Sequence, residues 1–232
     1  MLELSFDGRG FRQPVLGAIH LRIERGDRVC LLGPSGVGKT TLLNILAGLD
    51  PVVLPSAFTQ GSDLRVGYLF QEPRLLPWRT LYQNLVLVGA KREEAARLLS
   101  QVGLTGYGNH YPDQLSLGMA RRAALARCLA VAPDLLLLDE PFASLDAERA
   151  GELQALITGL LDQNPAMAMV CVTHDEADAA SLAAQRWWLE GAPARLRVEG
   201  GGESAGRRST AAGPDSQNAG PLWAEARGGE GA

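Results

Sequence analysis

Lysine is almost missing from this chain. Of its 22 basic residues only Lys39 and Lys91 are lysines and the rest are arginines, so a lysine inside a motif stands out. The formal net charge of −4 leaves no basic surplus to hold a nucleic-acid backbone. Cysteine is scarce too: Cys30, Cys128 and Cys171 each lie inside an apolar run and none forms a C-x-x-C pair. That spacing argues against a disulfide framework and a thiolate metal site, and reads as core thiols in a reducing compartment. Also lacking is any uninterrupted apolar run near the roughly 18 residues of a membrane span, or a basic stretch leading into an apolar one at the start (MLELSFDGRG). The expectation is a chain that neither spans a membrane nor is exported. What is present is 232 residues, 46% hydrophobic and 21% charged, enough for one sizeable core.

Residues 2–6 (LELSF) and 19–24 (IHLRIE) alternate apolar and polar, with Gly8, Gly10 and the ERGD turn at 24–27 as punctuation. They predict two half-exposed antiparallel strands. RVCLLG (28–33), DLLLLDE (134–140) and MVCVTH (169–174) are instead nearly all apolar and end in polar residues, the pattern of strands buried on both faces of a parallel sheet. Helical stretches over 39–49, 92–103, 119–130 and 148–163 lie between them. The predicted class is therefore α/β: a mainly parallel sheet, a small antiparallel β part at the N-terminus, and a largely helical insertion over about 72–132. Residues 1–198 form the expected domain, and 199–232, rich in Gly, Ser and Ala, an expected disordered tail in which Leu222 and Trp223 are the only bulky apolar pair.

GPSGVGKT at 33–40 fits G-x-x-x-x-G-K-[ST] between a buried strand and a helix, the context that pattern requires. Gly33, Gly36 and Gly38 let the backbone turn successive N–H groups toward phosphates at a helix N-terminus. Lys39 is then placed for the β and γ phosphates and the Thr40 hydroxyl for Mg2+. LLLLDE projects Asp139 and Glu140 from the carboxyl end of a strand, beside the P-loop if the two strands are neighbours. Asp139 suits a Mg2+ shell and Glu140 a general base for water; a helix cap before Pro141 is the other use of such acids. His174 ends a third buried strand.

In this order these elements resemble the ATP-binding subunits of ABC transporters, over residues 1 to about 198. The matching pieces are the P-loop, Gln71 in VGYLFQ, LSLGM at 115–119, LLLLDE with Glu140, ASLDA with Asp146, and His174. The resemblance implies a P-loop ATPase fold and two subunits that sandwich two ATP molecules, each P-loop covered by the partner's signature stretch. It assigns nucleotide contact to Gly33, Pro34, Ser35, Gly36, Val37, Gly38, Lys39, Thr40 and Thr41, and to Ser116 and Gly118 in trans. Thr40, Gln71 and Asp139 go to Mg2+, and Glu140, His174 and Gln71 to catalysis. The adenine-stacking aromatic falls to Phe11, with Phe6 the alternative.

Two departures from that pattern and one further likeness follow. Leu117 stands where the family has the first glycine of Leu-Ser-Gly-Gly, and if that glycine's positive φ is kept, leucine is strained there. Residues 50–65 look short and lack a clear hairpin, which predicts a trimmed antiparallel part. EPRLLPWRTL places Leu75, Leu76, Pro77 and Trp78 in a surface loop. LLPW and Met119 are similar to the nitrate, sulfonate and taurine importer group, which implies a docking site for a transmembrane permease and, indirectly, an extracytoplasmic solute-binding protein.

The expected activity is ATP hydrolysis powering solute import from the cytoplasmic face of the membrane, as a peripheral subunit in a homodimer or with a second ATPase subunit. The alternative is a catalytically weak or silent nucleotide-binding partner in a heterodimer. A GTP switch lacks its Asn-Lys-x-Asp motif, since Lys91 follows Ala90. DNA- or ribosome-acting relatives carry paired domains and basic surfaces that are not seen here.

Overall fold

The computed structural model describes residues 1–10, 14–50, 58–60, 64–183 and 185–199. The chain divides into units Met1–Gly201 and Gly202–Ala232. The second unit, and with it all but the first residue of the expected tail, lies outside the described residues.

The strands are β1 (Leu2–Phe6), β2 (Arg9–Gly10), β3 (Pro14–Leu16), β4 (Ile19–Ile23), β5 (Arg28–Leu32), β6 (Phe58–Gln60), β7 (Val66–Leu69), β8 (Leu135–Asp139), β9 (Ala168–Val172), β10 (Gln185–Gly191) and β11 (Ala194–Glu199). The helices are α1 (Lys39–Leu46), α2 (Leu81–Val86), α3 (Arg92–Gln101), α4 (Leu117–Leu129), α5 (Ala147–Gln163) and α6 (Glu176–Leu182). One sheet runs β4-β1-β6; the other runs β2-β3-β11-β10-β5-β9-β8-β7. The alternating strands β1 and β4 pair antiparallel, as their sequence predicts. The apolar strands β5, β9 and β8 pair parallel, with β7 outside β8.

Side-chain parity on these strands explains the layers. Cys30, Leu32, Leu136, Leu138, Met169 and Cys171 join the core under α2–α6. Their immediate neighbours Val29, Leu31, Leu135, Leu137, Val170 and Val172 join the other core, with α1, β1 and β4. Both faces are covered, so no polar alternation survives in the sequence of β8 or β9, each buried throughout. The three cysteines are buried and unbridged.

Three sequence expectations are modified. The P-loop strand β5 and the acidic strand β8 are not neighbours, because β9 lies between them. Within the segment 50–65 the described residues include one short strand, β6, paired antiparallel with β1; residues 51–57 and 61–63 lie outside the described residues. The loop holding Leu75 to Trp78 splits: Leu75 is 9% exposed and joins the core, whereas Trp78 is 69% exposed. The β10–β11 hairpin, which has no counterpart among the sequence expectations, extends the sheet past β5.

Candidate functional site

The P-loop leaves β5 at Gly33 and enters α1 at Lys39. Gly33 has φ +145°, and a Cβ there would collide with the Leu189 carbonyl oxygen of β10, so only glycine lets the loop pass under that strand. Gly36, at φ +77°, has no heavy atom within 4 Å of a built Cβ and turns its backbone to the open side. Gly38 caps α1 without any side-chain bond, leaving the first-turn amides to an anion. Lys39 is buried, and its Nζ donates to the carbonyls of Gly33 (2.8 Å) and Pro34 (3.0 Å). Its ammonium therefore lies across the start of the loop.

Asp139 reaches this loop although β9 separates the strands. It shares the parity of Leu135 and Leu137, which face α1, and α1 crosses that face of the sheet. Thr40 Oγ1 donates to Asp139 Oδ1 at 3.3 Å. Burial holds the Asp139 carboxyl above the usual carboxylate range, opposed by its bond from Thr40. A hydroxyl and a carboxylate brought together are hard oxygen donors of the kind Mg2+ takes alongside phosphates and water. Among the described residues no group of three or more His, Cys, Asp or Glu could hold a metal. Thr40 and Asp139 are a partial set of oxygen donors, which leaves room for phosphate and water on such an ion.

Glu140 follows at once in the opposite sense. Its φ of +46° is a left-handed conformation rare outside glycine, and its N–H is tied to the Val172 carbonyl at 3.0 Å. The turn swings the carboxylate off the strand, and Oε2 lies 3.3 Å from His174 Nδ1. His174 can meet it because its strand, β9, is the one between β5 and β8. The intervening strand is what brings the third residue into the site.

Gln71 is exposed two residues beyond β7, at the same carboxyl edge. Pro34 and Ser35 are exposed on the loop, Val37 and Thr41 half-buried. Phe11 lies outside the described residues. Phe6 is partly buried and packed against the core of the small sheet's layer.

The signature stretch is separate from the P-loop within one chain. Ser116 is the N-cap of α4, its Oγ accepting from Met119 N at 3.3 Å. With Gly118 it lines a groove of about 200 Å3 whose other wall, Leu145, Glu148 and Arg149, surrounds the start of α5. Asp146 caps that helix, accepting from Arg149 N at 2.9 Å. Leu117 corrects the sequence argument: it is the first residue of α4, is 46% exposed, and has no positive φ. A helical backbone accepts leucine freely, so the expected strain is absent.

Two residues here escaped sequence reading. Tyr68 of β7 places its hydroxyl 3.4 Å from Asp139 Oδ2; a tyrosine in an otherwise apolar strand was the available signal. Asn84, fully buried, accepts from Leu76 N (2.8 Å) and donates to the carbonyls of Leu76, Arg79 and Thr80, stapling the loop that presents Trp78. A cavity of about 560 Å3, lined by residues including Arg65, Arg97, Asp134 and Asn164, opens at the amino ends of the strands, away from this chemistry. Volume does not locate a phosphate site built from loop amides.

Comparison with known proteins agrees with this geometry. A family described as ABC transporter matches residues 16–143. The chain is 44% identical over 194 residues to the aliphatic sulfonates import ATP-binding protein SsuB 2 of Burkholderia cenocepacia (strain HI2424), covering 80% of this chain and 72% of that one. It is 38% identical over 204 residues to the SsuB protein of the same description from Bacillus licheniformis, covering 84% and 80%. Among solved structures, it resembles the dimeric post-hydrolysis state of the ATP-binding cassette MJ0796 bound to ADP and Pi, at TM-score 0.68 and 29% identity, covering 82% of this chain and 94% of that one.

Proposed function

The chain belongs to the ABC transporter family and is an ATPase, and on that premise we propose that it powers the import of aliphatic sulfonates or closely similar organic anions. The observation that carries the catalytic part is the meeting of Lys39, Thr40, Asp139, Glu140 and His174 at the carboxyl ends of three strands.

In this reading ATP lies with its phosphates on the P-loop amides from Gly33 to Thr41, and Lys39 exchanges its carbonyl partners for phosphate oxygens. Thr40 and Asp139, with Gln71 nearby, would hold Mg2+, which would supply neutralisation of charge on the phosphates. Glu140 accepts the proton of the attacking water as general base. The left-handed turn at Glu140 and the contact with His174 fix where that carboxylate points. His174 in turn faces the γ phosphate.

Ser116 and Gly118 serve the nucleotide of a second ATPase subunit, because in one chain they face α5 and not the P-loop. The MJ0796 cassette, a dimer, supports this arrangement. Trp78, held out by the Asn84 staple, receives the permease, and a solute-binding protein acts from the other side of the membrane. Among the described residues no helix is long and apolar enough to cross a membrane, so attachment at the cytoplasmic face comes through the permease.

The test is ATP turnover by the subunit assembled with its permease and solute-binding protein in vesicles. Addition of an aliphatic sulfonate to the binding protein should raise turnover several-fold. A complex whose turnover answers to another solute class, and not to sulfonates, overturns the substrate assignment.

A further inference from the structure

Tyr68 pairs in register with Leu137 of β8, so its side chain leaves the sheet on the α1 face, the face that Asp139 also takes. Its hydroxyl stands 3.2 Å from Asn44 Oδ1 on α1 and 3.4 Å from Asp139 Oδ2. A phenol has one proton and cannot donate to both oxygens. Turning the Asn44 amide end for end lets its NH2 donate to the phenol oxygen and frees the phenol proton for the carboxylate. That arrangement satisfies all three groups.

We propose that Tyr68 is a positioning residue for Asp139: its hydroxyl donates to Oδ2 and fixes the carboxylate's rotation, so that Oδ1 is presented beside the Thr40 hydroxyl. The inference rests on Asp139 being the carboxylate that serves Mg2+. Asp139 is 5% exposed, and burying a carboxylate is costly unless its oxygens are hydrogen-bonded, so the donors around it set its rotation. The tyrosine is itself held. Phe70 stacks on its ring at 4.0 Å and 20°, and the Arg74 guanidinium lies 4.0 Å from the Phe70 centroid. Arg127 of α4 donates to the carbonyls of Arg74 (2.7 Å) and Pro73 (3.1 Å), anchoring the loop that carries Arg74. The hydroxyl cannot leave Asp139 without disturbing this stack.

Tyr68→Phe removes only the hydroxyl and keeps the stack. The experiment measures binding of a fluorescent ATP analogue with Mg2+ and with EDTA in its place, and the Mg2+ concentration that half-saturates the gain. Tyr68→Phe should leave the EDTA affinity within about two-fold and shift the Mg2+ requirement upward by about 3- to 30-fold, the span from a weak to a charge-assisted hydrogen bond. Asn44→Ala, which removes the amide that directs the phenol, should shift it in the same direction by less, and carries the test if Tyr68→Phe does not fold. Asp139→Asn is run in parallel and should abolish the gain. Loss of the gain in Asp139→Asn with none in Tyr68→Phe or Asn44→Ala overturns the role of Tyr68 alone. An undiminished gain in Asp139→Asn overturns the reading of Asp139 with it. Equal weakening with Mg2+ and with EDTA would mean that Tyr68 merely packs, and overturns the proposal.

Discussion

Replacing Leu117 by glycine installs the residue that the resemblance to Leu-Ser-Gly-Gly implies there, and the structure gives that change an unfavourable sign. Leu117 opens α4 directly after the Ser116 cap, with a helical backbone and 46% exposure. Glycine at a helical position costs up to about 0.8 kcal/mol of propensity relative to leucine, less in the first turn. Losing the covered half of the leucine side chain costs about 1 kcal/mol, roughly half the value of full burial. Together the change destabilises by about 1–2 kcal/mol, which for a domain of this size lowers Tm by about 2–8 °C. Leu117→Ala keeps the propensity and should lose only the second part. Calorimetry of both variants, with steady-state ATPase at fixed protein concentration, separates the contributions. ATPase should not rise in Leu117→Gly. A several-fold increase with unchanged Tm would mean that the backbone at 117 is strained after all, and the argument from helix geometry would fail.

Lys39→Ala removes a buried ammonium whose donors face the phosphate loop, and ATP affinity should fall about 10- to 100-fold by calorimetric titration; unchanged affinity would contradict the P-loop assignment. Trp78→Ala should leave the isolated subunit's ATPase near that of wild type but weaken co-purification with the permease, by more than about 1 kcal/mol if it is an interface anchor. Equal recovery would return Trp78 to a passive surface role. Hydrogen bonds from Arg65 hold the Asp134 carboxyl below its usual range, so this group adds stability above its unfolded pKa and loses it as pH falls through the folded value. The gap between the urea midpoints of wild type and Asp134→Asn should therefore hold above the ordinary aspartate value of about 3.9 and narrow as pH falls below it; a gap independent of pH would refute the linkage.

Much of the site was legible because its chemistry needs contiguous residues. GPSGVGKT must be strand, loop and helix at once, and Asp139–Glu140 must end a strand. What sequence could not give was the strand order. Nothing in LLLLDE says that β9 intervenes, or that parity aims Asp139 at α1 while the left-handed turn at Glu140 sends that carboxylate to His174. Leu117 misled for a related reason: likeness to a glycine-bearing motif suggests a glycine backbone, whereas Ser116 caps a helix that begins one residue later. The β10–β11 hairpin was overlooked because QRWWLEG and ARLRVE mix charge with aromatic residues. Its inner residues Trp187 and Leu189 are buried in the core shared with α1, β1 and β4. Tyr68 acts on partners far off in the chain, Asn44 and Asp139, while Asn84 bonds the nearby backbone of Leu76, Arg79 and Thr80 in a way that no motif marks.

The proposed ATPase site is composite, shared by two subunits, with Glu140 as the base that ends each closed state. Glu140→Gln tests it most directly, by sedimentation with Mg-ATP over a range of protein concentrations and by turnover in the same samples. The expected result is an ATP-dependent dimer and a loss of hydrolysis of about 10²- to 10⁴-fold, the usual share of a general base. A variant that stays monomeric at every concentration with ATP bound, or that hydrolyses ATP at the wild-type rate, would contradict it.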